Sequence, residues 1–130
     1  MAGIGKPRIY IENITVTKVS LSEIGLLVTV AIENSNPVSI PVQQIDFDLF
    51  GVIGGKERAV AHGQHGDHHI PPGKSTLAIP VIIQNQEIIG ALSEFLLARS
   101  MDLRITGNAR VGLGIMSYNV PISEERRFSF

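Results

Sequence analysis

Leu26, Val28, Val30 and Ile32 alternate with Leu27, Thr29, Ala31 and Glu33, so one apolar residue recurs at every second position. In an extended chain successive side chains point to opposite faces, and such a run presents one face for burial and one that tolerates water. The same period returns along most of the chain. Ile9 and Ile11 share a face, Ile45, Phe47 and Leu49 alternate with Asp46, Asp48 and Phe50, and Leu77, Ile79, Val81 and Ile83 follow suit. Leu103 and Ile105, then Val111, Leu113 and Ile115, then Tyr118, Val120 and Ile122 complete the series. Turn-forming residues break the runs at Ser35-Asn36-Pro37, Gly54-Gly55, Pro71-Pro72-Gly73 and Thr106-Gly107-Asn108. Seven or eight short strands at this spacing predict an all-β fold, an antiparallel β-sandwich.

One segment has another period. Between Gln86 and Arg99 the apolar residues Ile88, Ile89, Leu92, Phe95 and Leu96 fall on one stripe of an amphipathic helix. Asn85 is placed to cap its start, Glu87 lies in the first turn and Arg99 in the last, as the helix dipole favours. The stripe is expected to pack over an open end or flank of the sandwich. Pro80 and Pro121 lie inside strands and remove ladder donors, which places those strands at sheet edges or at bulges. No linker or repeat divides the sequence, so residues 1–130 read as one domain.

Composition excludes several functions. Without cysteine there are no disulfides, thiolate metal sites or thiol nucleophiles. Eleven basic and 12 acidic residues give a formal charge of −1, and aromatic residues are 5% of the chain, so neither a basic footprint nor base stacking supports nucleic-acid binding. No stretch approaches the ~18 apolar residues of a membrane span, and the first residues lack a signal peptide's apolar core. The expected location is the cytoplasm, or a membrane surface through an upstream anchor. Gly51, Gly54, Gly55 and Gly73-Lys74-Ser75 lead into no helix and make no phosphate loop. No serine sits in a nucleophile elbow, and Asp46 with Asp48 reads as a solvated sheet face.

All four histidines, His62, His65, His68 and His69, fall within eight residues that also hold Asp67. Imidazole suits zinc, nickel or copper, so these four are the candidate metal ligands. On a regular strand His62 and His68 would share one face and His65 and His69 the other, so only a looped chain, permitted by Gly63 and Gly66, can gather three. The plainer account is a solvent-facing hairpin or edge strand. Protonating all four takes the formal charge from −1 to +3 near pH 6.

Asn34-Ser35-Asn36-Pro37, Ser39-Ile40-Pro41-Val42, Ile45-Asp46-Phe47-Asp48-Leu49, Ala61-His62-Gly63, Ile70-Pro71-Pro72-Gly73-Lys74-Ser75 and Ile79-Pro80-Val81 follow one another in a recognisable order. With Ile105-Thr106-Gly107 and Val120-Pro121-Ile122 they resemble the WHy domain (water stress and hypersensitive response) of the type 2 late-embryogenesis-abundant family, in its prokaryotic single-domain form. The motif residues are Asn34, Asn36, Pro37, Gly63, Pro71, Pro80 and Gly107. The family usually has Asn-Pro-Asn where this chain has Asn34-Ser35-Asn36, and its variable hairpin stands where the histidines are. The resemblance implies an immunoglobulin- or fibronectin-III-like sandwich with one helix, a role in desiccation and stress tolerance, no catalytic activity and no cofactor. Some relatives are proposed to hold lipid between helix and sheet, which here would give a groove lined by Ile88, Ile89, Leu92, Phe95 and Leu96. The expected partner is a client protein or a lipid, and exposed edge strands leave room for a homodimer.

Overall fold

The computed structural model describes residues 6–53, 55–98 and 100–129, with side chains for all of these except 53 and 94–98. Among these residues eight strands and one helix follow in the order β1 (Arg8–Val19), β2 (Ile24–Asn34), β3 (Ile40–Ile53), β4 (Lys56–His65), β5 (His68–Ile70), β6 (Gly73–Ile83), α1 (Gln86–Ala98), β7 (Ser100–Leu113) and β8 (Met116–Ser129). One sheet has the order β1-β2-β6 and the other β4-β3-β7-β8, with β5 paired to β3 beyond the end of β4. Every pairing is antiparallel. The alternating residues do what their period requires: Val28, Val30, Ile32, Ile45, Phe47, Leu49, Ile79, Val81, Ile105 and Val111 are buried between the sheets. The predicted β-sandwich is the observed fold.

Both prolines lie on edge strands. Pro80 stands opposite Leu27 on β6, and Pro121 opposite Asn108 on β8. Thr106-Gly107-Asn108 does not interrupt its strand, because β7 runs unbroken through all three residues. Gly107 is there for proximity. A Cβ on it would stand 2.1 Å from the Asp46 carbonyl oxygen and 2.6 Å from Phe47 Cα, so only glycine lets β7 approach β3 here. Ile115, by contrast, is no strand residue. It lies in the turn between β7 and β8, beside Gly114 with its positive φ of 69°, and is fully exposed.

The helix begins where the sequence indicates. Asn85 Oδ1 accepts from the backbone N–H groups of Glu87 (3.0 Å) and Ile88 (3.2 Å), satisfying two donors that the first turn leaves without helical partners. Arg99, expected in the last turn, lies outside the described residues. Connecting β6 to β7, α1 buries Ile88, Ile89 and Leu92 against the end of the sandwich.

At one side the two sheets are joined by side chains. A bulge in β1 between Ile11 and Asn13 breaks its register with β2. There Glu124 of β8 accepts from the Ile11 N–H, while Arg126 donates to the carbonyls of Ile11 (2.7 Å) and Glu12 (2.9 Å). Period two separates the neighbouring charges: Arg127 points elsewhere and makes a two-pronged pair with Asp102 on β7, at 3.0 and 3.2 Å.

Candidate functional site

The histidines stand on the β4–β5 edge of the larger sheet, and cross-strand register sorts them. His62 pairs with Asp48, and His69 with Pro41. His65 pairs with Ile45 and His68 with Val42, both buried core residues, so these two imidazoles occupy the inward side of the sheet at its rim. Three residues apart, they would face oppositely on a regular strand. The chain leaves the ladder at Gly66-Asp67, between β4 and β5, and this break brings their rings to 5.9 Å in an edge-to-face arrangement. It also opens a polar hollow of about 330 Å³ bordered by Gln43, Gln44, Gln64, His65 and Gly66.

Two of the rings have a defined hydrogen-bond partner. His62 Nδ1 lies 2.8 Å from Asp48 Oδ1, and His65 Nδ1 lies 2.9 Å from the Gly66 carbonyl. Both partners only accept, so each Nδ1 carries a proton and Nε2 is the ring nitrogen turned away from that partner. Among the described residues no three His, Asp or Glu side chains converge on one point. The structure thus joins His65 to His68 and leaves His62 and His69 on the opposite side.

The motif residues do a different kind of work. Asn34 and Asn36 are buried polar residues, 2% and 4% exposed. The Asn34 amide donates to the carbonyls of Val38 (3.0 Å) and Ile70 (3.2 Å), and its oxygen accepts from the Asn36 N–H (3.0 Å) and the Asn36 side-chain amide (2.9 Å). One side chain therefore ties the end of β2 to the loop before β3 and to the end of β5 in the opposite sheet. Phe47, fully buried, stands in register between Gly63 on β4 and Gly107 on β7. Its ring covers Gly63 so closely that a Cβ there would come 2.3 Å from Cζ. Pro37 and Pro71 are exposed in the loops flanking the Asn34 network.

At the other end of the sandwich an open apolar groove of about 620 Å³ lies between the β1–β2 turn and α1. Val19, Leu21, Ile24 and Ile89 supply its apolar lining, with Ser20, Gly90 and Ser93. Leu21 is 93% exposed, extreme for a leucine. The predicted groove residues divide. Ile89 lines the groove, whereas Leu92 borders a void of about 20 Å³ inside the core and Ile88 is buried. The side chains of Phe95 and Leu96 lie outside the described residues. Val19, Leu21 and Ile24 escape periodicity arguments because they surround a turn. Their sequence signal is a single leucine between Ser20 and Ser22, where a turn would ordinarily be polar.

Comparison with known proteins places this architecture. An uncharacterized protein of Methanocaldococcus jannaschii is 29% identical over 118 residues, covering 90% of this chain and 67% of that protein. The solution structure of a protein proposed to be of the late embryogenesis abundant type superposes with a TM-score of 0.68 at 14% identity, over 96% of this chain and 71% of that one. A second solution structure, from Arabidopsis thaliana, gives 0.63 at 17% identity over 100% and 85% of the two chains. At such identities these structures establish likeness of fold. A family model described as "Late embryogenesis abundant protein" matches residues 29–126, roughly three-quarters of the sequence, and the chain belongs to that family.

Proposed function

We propose that this chain is a non-catalytic, stress-associated protein of the water-stress type, working as a folded protective or interaction module. The observation that carries the reading is the family match over residues 29–126, which takes in the framework residues Asn34, Asn36, Gly63 and Gly107. In this chain these residues tie the sheets together and let strands approach closely. The apolar groove offers the surface for a partially unfolded client, because exposed apolar side chains mark interaction sites. No helix among the described residues is long and apolar enough to cross a membrane. A place in the cytoplasm, or at a membrane surface through an upstream anchor, belongs to the proposal. The test is to dry or heat a labile client enzyme with this protein and with an equal mass of an unrelated folded protein. More client activity must survive beside this chain; equal survival removes the reading.

The groove itself supports a second reading, in which it binds an apolar ligand or lipid chain. Its volume falls in the ~300–1,000 Å³ range of small-molecule sites. Native mass spectra of freshly purified protein, before and after denaturation, decide it. A released lipid of fixed mass supports this reading, and a bare protein mass with no uptake of fluorescent fatty acid rejects it.

A further inference from the structure

We infer that His65 and His68 form a two-imidazole site for a divalent ion of the zinc, nickel or copper class, at the rim between the sheets. The inference is independent of the protective role. Metal bonds to imidazole of ~2.0–2.1 Å put an ion about 3.2 Å from each ring centroid, so two rings on one ion stand roughly 5–6.4 Å apart. The observed 5.9 Å corresponds to an angle of roughly 130° at such an ion, wider than tetrahedral, so a small turn of the half-exposed rings accompanies binding. His65 is held as a ligating histidine is usually held, with Nδ1–H fixed on the Gly66 carbonyl and Nε2 left to bind. The break at Gly66-Asp67 that brings the rings together also opens the polar hollow beside His65, which gives room for water to complete the coordination. Both residues are half-buried, so rotation of their rings is restricted by neighbours and less of the binding is lost in ordering them. His62 and His69 face the other way and belong to no such pair.

Calorimetric titration of the whole chain with zinc, nickel and copper chlorides tests this directly. One ion per chain is expected to bind, with Kd on the order of 10 μM for the tightest of the three, as suits half of a full ligand set. His65→Ala and His68→Ala should each weaken binding at least about tenfold, while His62→Ala and His69→Ala change it less than about twofold. Should either variant fail to fold, proton spectra of the unsubstituted chain still decide: nickel must broaden the ring resonances of His65 and His68 before those of the other two. Absence of saturable binding below about 1 mM, equal losses for all four variants, or equal broadening of all four rings would overturn the site.

Discussion

The Asn34 carboxamide has two donor hydrogens and an oxygen that accepts twice, and all four are used inside the protein. Replacement by alanine takes this partner from the Ile70 carbonyl and the Asn36 N–H in buried surroundings, and from the Val38 carbonyl in a half-exposed loop. Each such lost bond costs about 1–3 kcal/mol, and partial access to water reduces the sum; Asn34→Ala should lower unfolding free energy by ~2–4 kcal/mol in urea titrations. Glycines give a sharper contrast. Gly107→Ala pushes a methyl into the β3 backbone at 2.1 Å, which no rotamer change relieves, and should cost more than ~3 kcal/mol or prevent folding. Gly66→Ala meets nothing within 4 Å and should stay within about 0.5 kcal/mol of the parent in the same titrations. Equal effects at the two glycines would refute the close-approach account of Gly107.

At the scale of elements, strands and helix were legible because each has a period that local chemistry enforces. Leu26–Ile32 and Leu77–Ile83 alternate since each has one buried face, and Asn85 announces α1 through hydrogen bonds made within three residues. What stayed hidden depends on neighbours far along the chain. Gly107 resembles a turn residue until β3 is laid beside it, and His65 meets His68 only because β3 continues to pair on both sides of the Gly66-Asp67 break. Glu124-Glu125-Arg126-Arg127 holds two acids and two bases side by side, yet Glu124 and Arg126 reach β1 while Arg127 pairs with Asp102. Removing the join should loosen β1. Arg126→Ala takes a charged donor from two backbone carbonyls at a half-wet edge, and is expected to cost ~1–3 kcal/mol and to speed amide exchange along β1 more than along β3. Uniform change in exchange across both sheets would contradict that role.

At the scale of the whole molecule, the ion pairs among the described residues lie at the surface, and their contribution follows pH and salt. Hydrogen bonds from Arg127, Arg104 and Lys18 hold Asp102, Glu57 and Glu23 below their ordinary carboxyl values. Folding therefore gains from them above the unfolded carboxyl range and loses that gain as pH falls through it. Lys74 is raised by its hydrogen bond to Glu12, so its contribution is present below its ordinary 10.5 and fades as pH climbs past the folded value. Thermal midpoints should fall below about pH 4.5 and again in strong alkali, with both slopes flattened in about 0.5 M salt. These exposed pairs give a polar surface around an apolar core, and the groove at the β1–β2 turn interrupts that surface. In the protective role proposed above the sandwich acts through this groove, and recovery of a client enzyme after drying measures that role. The unsubstituted chain should preserve more activity than an equal mass of an unrelated folded protein, and Leu21→Asp, which puts a charge in the groove, should lose most of that difference while folding normally. Preservation no better than the unrelated protein's would contradict the account.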